Sequence, residues 1–302
     1  HTITMRPLDA LYSIKTLNHI AKWPKFAISK APPDHVSVRE ATDRAVGILD
    51  ATYEKADLPQ VVEKTAPHLS YSQKATLLKL LQKHEELFDG TLGDFQTDPV
   101  WFDLNLGVKP HHGRAFPVPH AQKETFKKEV ERLVGLGVLK PQPRSEWDSP
   151  AFIIAKKDGP VRFLTDFWEA NKRIVRTPFP TPKISDVLHE LEGFTFATAI
   201  DLNMGYWTIR LDPDAQKICT IILPWGKFSY MRLPMGVAGA PDIFQEKCLS
   251  SCSLLNMCAY RVYLDDSLVI TKGTFEDHMV KTEAALKWLK KAKLRVNAPK
   301  CG

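Results

Sequence analysis

Two β-rich runs meet at the adjacent acidic residues Asp265 and Asp266, and this arrangement constrains the fold more than any other feature of the chain. The first run ends at Tyr263 and Leu264, and the second continues to Ile270. Runs of β-branched and aromatic residues on both sides of a short polar step predict an antiparallel hairpin. Asp is tolerated in a tight turn because its short side chain can bond its own backbone. We therefore expect both carboxylates at the tip of a hairpin.

Another acidic residue, Asp201, closes the apolar run that begins at Phe196. A buried strand that ends in a carboxylate holds that group on a rigid element. Adjacent carboxylates repel each other, and a cation relieves the repulsion. Carboxylate oxygens in small number suit Mg²⁺, and two such ions about 4 Å apart can activate a 3′-hydroxyl and stabilise a departing pyrophosphate. Asp201, Asp265 and Asp266 therefore form a candidate two-metal site, provided that the fold brings them together.

Each of these acidic features also has an ordinary structural explanation. An isolated Asp-Asp pair is usually a solvated turn, and an isolated Asp at a strand end usually acts as a cap or forms an ion pair. The two features together favour a metal site only if neighbouring segments point to the same chemistry. The remaining motifs therefore decide between these alternatives.

Outside the acidic motifs, periodicity and turn residues predict several helices and one further hairpin. Ser70 stands three residues before Gln73, which is the spacing of a capping box, and the helix that follows is expected to stop near Gly90. The other predicted elements are a helix over 38–53, a helix over 122–134, a strand over 151–155, a turn over 156–159 and a strand over 161–165.

Composition places few limits on function. The 302 residues carry a formal net charge of +6, which is compatible with a phosphate-rich partner but does not identify one. No apolar run approaches the roughly 20 residues that a transmembrane helix needs, so no membrane association is expected. Three of the five cysteines, Cys248, Cys252 and Cys258, are closely spaced, but no nearby His completes a zinc knuckle. Reduced structural thiols in an intracellular compartment are therefore favoured.

We divide the chain into three regions. Residues 1–65 are broken up by prolines and are expected to be peripheral or poorly ordered. Residues 66–104 are predicted to be a helical linker, and residues 105–302 carry nearly all the informative motifs. The predicted fold class is α+β, with an antiparallel sheet packed on helices.

Several motifs, in the same order, resemble those of reverse transcriptases from retroviruses and LTR retrotransposons. Tyr263-Leu264-Asp265-Asp266 resembles the Tyr-x-Asp-Asp box of that family. The other matching segments are residues 149–167, 170–172, 196–211, 233–245 and 273–301. Three local sequences resemble the gypsy type in particular: Leu87-Phe88-Asp89-Gly90, Phe116-Pro117-Val118-Pro119 and Gly137-Val138-Leu139. The resemblance covers roughly residues 70–302 and implies the fingers and palm of a right-hand polymerase, without the thumb and the ribonuclease H domain.

The resemblance also implies a role for each matching residue. The catalytic and metal-binding set is Asp201, the carbonyl of Leu202, Asp265 and Asp266. The nucleotide-binding set is Lys156, Arg162, Tyr206, Met235 and Gly236. The residues assigned to the primer site are Tyr263 and Leu264.

The chemistry of the nucleotide-binding set suits these implied roles. Lys156 and Arg162 match residues that grip the triphosphate, since Arg can bind phosphate with two hydrogen bonds and Lys supplies a point charge. Tyr206 stands where the family keeps an aromatic that blocks a ribose 2′-hydroxyl, and Gly236 would let the backbone approach the nucleotide closely. Met235 departs from the pattern, because retroviral enzymes carry Gln there. The ordinary alternatives are a solvated hairpin tip for Lys156 and a core aromatic for Tyr206.

The implied cofactors are two Mg²⁺ ions, with Mn²⁺ as the alternative ion. The implied partners are an RNA template, a DNA or RNA primer, dNTPs and the remaining Pol domains, namely thumb, ribonuclease H and integrase. The implied location is a cytoplasmic particle with access to the nucleus. Two other functions stay open: a truncated, inactive retroelement relic that retains only nucleic-acid binding, and a nucleic-acid-binding module without chemistry.

Overall fold

A computed structural model describes residues 54–155, 161–180, 193–253, 260–263 and 266–302 of the chain. Several predictions fall outside these described residues: the helix over 38–53, the turn over 156–159, and the positions of Lys156, Leu264 and Asp265. Within the described part, no helix combines the length and the apolar character needed to cross a membrane.

The described chain begins with helices and continues with a mixture of strands and helices. The α-helices are α1 (Leu58–Thr65), α2 (Tyr71–Lys83), α3 (His120–Gly135), α4 (Trp168–Asn171), α5 (Pro213–Ile218), α6 (Ala240–Ser253) and α7 (Phe275–Lys291). The strands are β1 (Leu139–Pro141), β2 (Ser149–Ala155), β3 (Val161–Thr165), β4 (Phe196–Asp201), β5 (Thr220–Leu223), β6 (Gly226–Tyr230), β7 (Tyr260–Tyr263) and β8 (Asp266–Thr271). Short 3-10 helices lie at Glu85–Phe88, Gly205–Thr208 and Ala298–Lys300.

Five strands form the larger sheet, in the order β1-β6-β5-β2-β3. Neighbouring strands pair antiparallel except β2 and β5, which are parallel. Strands β2 and β3 form the hairpin predicted over 151–165, and they pair with Ile153 opposite Phe163. Helix α3 packs on this hairpin through Phe126, which is fully buried and meets the ring of Phe163 edge-on at 5.5 Å. The hairpin therefore rests on a packed helix.

Three strands form the smaller sheet, in the antiparallel order β4-β8-β7. Helix α7 packs against β4 and β8. His278 of α7 joins these strands, because its Nε2 lies 2.8 Å from the Thr198 hydroxyl of β4 and its Nδ1 lies 3.0 Å from the Thr271 hydroxyl of β8. Burial lowers the pKa of His278 to about 4, so the ring is neutral at neutral pH and bonds both hydroxyls uncharged.

The segment that leads into the larger sheet is attached by an ion-pair cluster. The Asp94 carboxylate accepts hydrogen bonds from Arg210 at 2.8 and 2.5 Å and from Arg232 at 2.7 Å. The hydrogen bond from Arg210, with that from Arg232, lowers the pKa of Asp94 to about 2 despite its partial burial. The next residue, Phe95, donates its backbone N–H to the Thr208 carbonyl at 3.0 Å. The lead-in segment is thereby fixed beside the turn that follows β4.

Most of the predicted elements are confirmed, although several ends differ. The capping box of Ser70 and Gln73 is present with both of its hydrogen bonds. Helix α2 nevertheless ends at Lys83, well before the predicted stop at Gly90, because a 3-10 helix follows and turns Leu87 into the core. Helix α3 and strand β2 each begin two residues earlier than predicted.

Helix α1 belongs to the region 1–65, which was expected to be peripheral. Asp57 caps the helix by accepting a hydrogen bond from the Gln60 backbone at 3.2 Å, and Pro59 fits its first turn. Leu58 is only 4% exposed and packs in the main hydrophobic core. For this helix the structure differs from the expectation, because the proline that interrupts the sequence pattern starts a helix.

Candidate active site

Strand β4 carries Asp201 to the edge of the packed interior. Asp201 is 8% exposed, and its neighbours Ile200 and Leu202 are 3% and 4% exposed. Strand β8 pairs with β4 along one side. On the other side, the backbone N–H of Asn297 donates to the Asp201 carbonyl at 2.9 Å, and Leu202 forms a bridge with Val296. The strand end is therefore fixed by backbone contacts on both sides.

The smaller sheet sets Asp201, Asp266 and Tyr263 in one row. Asp201 is the register partner of Asp266, and Asp266 is the partner of Tyr263. Directly opposite residues of an antiparallel pair have Cα atoms about 4.5–5.5 Å apart. Asp266 thus begins a strand, which corrects the prediction that it lies in the turn. Leu264 and Asp265, which follow Tyr263 in the sequence, lie outside the described residues.

The predicted metal ligands are oxygen donors: the carboxylates of Asp201, Asp265 and Asp266 and the carbonyl of Leu202. The register sets two acidic residues directly opposite each other, and like charges in such positions are destabilising unless a cation compensates them. Oxygen donors suit Mg²⁺ and Mn²⁺. Among the described residues, which do not include Asp265, no group of three or more His, Cys, Asp or Glu forms a metal-binding cluster. The donor chemistry fits such an ion, and the full ligand set stays a prediction.

Tyr206, predicted to meet the ribose, lies in the 3-10 helix Gly205–Thr208. The residue before this helix, Met204, has a φ of 54°, a left-handed conformation that turns the chain sharply after β4. The ring of Tyr206 is 5% exposed and lies 5.0 Å from that of Phe244 on α6. Its burial agrees with the core-aromatic alternative, and its role towards a nucleotide stays a prediction.

Met235 and Gly236 lie in the turn between β6 and α6. Gly236 has a φ of 89°, a conformation that residues with a side chain adopt only with strain. Gly236 is exposed, whereas Met235 packs against the core. A Cβ added to Gly236 would lie 3.8 Å from the Thr165 carbonyl oxygen and 3.8 Å from the Phe167 ring. The turn therefore lies beside the end of β3, which also carries Arg162.

The side chain of Asn171, at the end of α4, bonds this turn at two points. Its Nδ2 donates to the Gly236 carbonyl at 2.8 Å. Its Oδ1 accepts from the Ala238 backbone N–H at 2.7 Å. The Asn171 amide thus provides hydrogen-bond partners for the Gly236 carbonyl and the Ala238 N–H, which belong to neither a helix nor a strand. Asn171 belongs to the motif over residues 170–172, and nothing in the sequence predicts these two contacts.

A second contact joins the same segment to the first turn of α6. Arg176 donates to both carboxylate oxygens of Asp242, at 2.9 and 3.3 Å, and the backbone N–H of Phe179 donates to Oδ1 at 3.1 Å. Burial would raise the pKa of Asp242, but the hydrogen bonds from Arg176 and Phe179 outweigh it, and the pKa lies below its usual value. This pair could not be predicted from the sequence, because no local pattern links Arg176 to Asp242.

The hairpin of β2 and β3 carries the residues predicted to grip a triphosphate. Arg162 lies in β3 at the register position opposite Ile154 of β2. Strand β3 is joined to β6 by a contact of 3.0 Å between the hydroxyls of Thr165 and Tyr230. Lys156 lies outside the described residues, so the expectation that Lys156 and Arg162 face one cleft stays a prediction.

Sequence comparison shows what the chain is similar to. Residues 154–302 match the family model of reverse transcriptase (RNA-dependent DNA polymerase). The chain is 26% identical over 263 residues to the retrovirus-related Pol polyprotein from transposon 412 of Drosophila melanogaster, covering 80% of this chain and 21% of that polyprotein. It is 25% identical over 222 residues to the enzymatic polyprotein of figwort mosaic virus, covering 70% of this chain and 33% of that protein. The chain thus spans a third or less of these relatives.

Structural comparison identifies the fold. The crystal structure of prototype foamy virus protease-reverse transcriptase matches with a TM-score of 0.73 and 23% identity, covering 82% of this chain and 33% of that one. The foamy viral protease-reverse transcriptase in complex with RNA/DNA hybrid matches with a TM-score of 0.69 and 21% identity, covering 93% and 36%. These matches confirm the predicted α+β architecture of fingers and palm, with an antiparallel palm sheet packed on helices.

Proposed function

We propose that the chain carries the reverse transcriptase, an RNA-directed DNA polymerase core, of a gypsy-type LTR retrotransposon. The observation that carries the proposal is the register of the palm sheet, in which Asp201 stands opposite Asp266. Two acidic residues from distant parts of the sequence thereby meet at one strand end, next to Asp265 in the chain. The three local sequences at residues 87–90, 116–119 and 137–139 support the gypsy type.

The acidic residues would hold two divalent ions. Asp201, Asp265 and the Leu202 carbonyl would be the direct ligands, and Asp266 would support the site. Mg²⁺ or Mn²⁺ bound there would lower the pKa of the primer 3′-hydroxyl and stabilise the charge on the departing pyrophosphate. The backbone pairing on both sides of β4 would keep Asp201 in position during this change of charge.

The other predicted residues would bind and orient the nucleotide. Lys156 and Arg162 would hold the triphosphate while the 3′-oxygen of the primer bonds to the α-phosphorus and pyrophosphate leaves. Gly236 would bring the backbone close to the nucleotide, and Met235 would line the same place. Tyr206 would exclude a ribose 2′-hydroxyl from within the palm. Tyr263 and Leu264 would lie under the primer end.

The partners follow from the same proposal. The domain would bind an RNA template, a DNA or RNA primer and dNTPs, and it would work with the thumb, ribonuclease H and integrase domains of a Pol polyprotein. Foamy viral relatives of the same fold have been solved with RNA/DNA hybrid and with double-stranded DNA. The basic excess of the chain, +6, is compatible with such partners. A gypsy-type element would place the protein in a cytoplasmic particle with access to the nucleus.

Primer extension tests the proposed activity. The chain is given an RNA template, an annealed DNA primer, dNTPs and Mg²⁺, and it is compared with Asp265→Asn and with Asp103→Asn. Asp103 is an exposed acidic residue outside the predicted site and serves as the matched control. We expect the chain and the control variant to extend the primer, and Asp265→Asn to lose activity by at least about a thousandfold.

Three outcomes separate the alternatives. Extension that survives in Asp265→Asn would contradict the assigned site. A second outcome is that neither protein extends the primer, while primer–template binding falls steeply with salt and is the same in Asp265→Asn. This outcome would favour a module that binds nucleic acid without chemistry. Extension that appears only when a thumb domain is fused to the chain would show that the activity depends on a thumb, and a fused chain that stays inactive would favour a relic.

A further inference from the structure

The turn proposed to receive the nucleotide has few backbone contacts of its own. Gly236 and Gly239 both have positive φ values, 89° and 78°, so this stretch follows neither a strand nor a helix. Short irregular segments of this kind can adopt several conformations, and glycine increases their number. Something outside the turn must therefore select the conformation that the structure shows.

The side chain of Asn171 makes contacts of this kind. Its amide bonds the turn on both sides of Val237, at the Gly236 carbonyl and at the Ala238 N–H. The two bonds have opposite polarity, so only a side chain that both donates and accepts can make them at the same time. Neither a carboxylate nor an apolar group of the same shape can replace the amide.

Asn171 is itself anchored to the larger sheet. Helix α4 follows β3 closely, and Asp166, just before the helix, accepts a hydrogen bond from the Trp168 N–H at 3.0 Å. The backbone N–H of Asp166 donates to the Pro150 carbonyl at the start of β2, at 2.9 Å. The backbone of Asn171 is therefore joined to the hairpin that carries Arg162.

The Arg176–Asp242 pair fixes the far end of the same segment. Asp242 lies in the first turn of α6, directly after the glycine turn, and it is 5% exposed. Its contact with Arg176 keeps the start of α6 next to the segment that begins at Asn171. Two side-chain contacts thus hold the turn. The Asn171 amide binds it at Gly236 and Ala238, and the Arg176–Asp242 ion pair holds the helix that begins just after it.

We propose that Asn171 is a positioning residue, which couples the β2–β3 hairpin to the Gly236–Gly239 turn and so presets the nucleotide-binding conformation of that turn. This inference rests on the function proposed above. Asn171 acts through the backbone of the turn and touches no reacting atom. Its loss would lower the fraction of molecules whose turn can receive a dNTP, and the apparent dNTP affinity falls in proportion to that fraction.

Two variants separate the bonds of Asn171. Asn171→Leu has a similar shape and removes both hydrogen bonds. Asn171→Asp keeps an acceptor for Ala238 but sets a carboxylate oxygen against the Gly236 carbonyl. Lys172→Ala is the matched control, because Lys172 is the next residue and its ammonium contacts Glu169, at 2.6 Å, and the ring of Trp168, both of which lie outside the glycine turn.

Hydrogen exchange tests the contact between Asn171 and the turn without any need for catalysis. In Asn171→Leu, the amide of Ala238 loses its acceptor, and we expect its exchange in the free protein to speed up by at least about fivefold. Exchange in β8 should not change. An unchanged rate at Ala238 in Asn171→Leu would overturn the proposal, because the turn would then hold its conformation unaided.

Equilibrium dNTP binding measures the consequence. The chain is bound to an RNA template and a dideoxy-terminated primer, so that no transfer can follow, and it is titrated with the complementary dNTP. We expect Kd for the dNTP to rise about tenfold in Asn171→Leu and Asn171→Asp, with Kd for primer–template within about twofold of wild type. Lys172→Ala should match wild type in both. In single-turnover extension, KM for the dNTP should rise while the rate at saturation changes by less than about threefold.

The two proposals fail in different ways. If wild type binds dNTPs and the Asn171 variants bind them equally well, the positioning role is wrong and the polymerase proposal is untouched. If the variants lose extension rate and stability without a change in dNTP affinity, Asn171 is merely structural, which also overturns the inference. If wild type binds no dNTP in this complex, the proposed function fails in this chain, and the nucleotide role of Asn171 falls with it.

Discussion

The acidic strand ends and the glycine turn belong to one domain but are held in place by different means. Asp201 stands opposite Asp266 because three strands pair through their backbones. Gly236 and Ala238 keep their positions because the single side chain of Asn171 bonds both. Backbone pairing repeats along a strand and resists most substitutions, whereas a side-chain brace depends on one residue meeting one partner. The first arrangement should yield only to changes that break the backbone, and the second to single side-chain changes.

The largest effect is expected where the backbone of the small sheet is broken. Val269 is fully buried in β8, the central strand, and stands opposite Thr198 of β4 and Tyr260 of β7. Val269→Pro removes a ladder hydrogen bond and should destabilise the protein by more than about 3 kcal/mol. Urea unfolding followed by circular dichroism measures this loss. Val269→Ala is the control that keeps the backbone, and equal losses in the two variants would show that backbone pairing does not hold this region.

The next largest effect is the stability that the His278 side chain adds to the backbone pairing of the small sheet. His278 has a folded pKa of about 4, below its ordinary 6.5, because it is buried. Protonation of His278 therefore favours the unfolded chain. The stabilisation that the neutral ring gives to the folded protein is complete above pH 6.5 and is lost as pH falls towards 4. We expect His278 to cause about 2 kcal/mol of the stability loss between pH 7.5 and pH 5.

The measurement for His278 is urea unfolding of wild type and His278→Gln at both pH values. The variant has no titrating ring at this position, so acidification should lower its free energy of unfolding by about 2 kcal/mol less than that of wild type. The Asp94 carboxylate, with a pKa of about 2, does not titrate in this window and should not contribute. Equal losses in wild type and variant would contradict the assignment.

A smaller effect is expected from the brace at the start of α6. Asp242→Ala removes the acceptor of Arg176 and of the Phe179 backbone, and it should cost about 1.5 kcal/mol of stability. Asp214→Ala is the control: Asp214 also lies in the first turn of a helix and pairs with Lys217, but its side chain is 82% exposed. Thermal unfolding should show less than about 0.5 kcal/mol for the control. Similar costs for both would mean that the Arg176 brace adds nothing.

The smallest effect concerns the glycine turn itself. Gly236→Ala places a side chain at a φ of 89° with no close atom to clash, so backbone strain alone should cost about 1 kcal/mol. Gly135→Ala lies in α3, where no atom approaches the added Cβ within 4 Å, and it should be neutral or stabilising. Chemical unfolding of the two variants gives the difference. A Gly236→Ala variant as stable as Gly135→Ala would show that the turn is not set in this conformation.

The elements that sequence periodicity predicts are those whose cause is local. The run from Phe196 to Asp201 is a strand because its residues suit one, and the capping box at Ser70 forms because its two partners lie three residues apart. The prediction that Asp266 lies in the turn was wrong, because residue composition does not fix the residue at which a ladder begins. The helix end at Lys83 was missed for a tertiary reason, since Leu87 is drawn into the core.

The contacts that the sequence did not predict are those between distant side chains. Asn171 with Gly236, Arg176 with Asp242 and Asp94 with Arg210 each join segments that become neighbours only after folding. No local pattern in the sequence links the two members of any of these pairs. The motifs quoted for the family mark where some of them lie but not what they contact. Such braces therefore have to be read from the structure.

The central claim is that Asp201 and the acidic pair at the hairpin share divalent ions. Fe²⁺ can replace Mg²⁺ at such sites, and with ascorbate and peroxide it cuts the polypeptide next to the bound ion. We expect cleavage at two separate places, near residue 201 and near residues 264–266, and loss of both cuts in Asp201→Asn at unchanged stability. Cleavage at only one place, or two cuts that persist in Asp201→Asn, would contradict it.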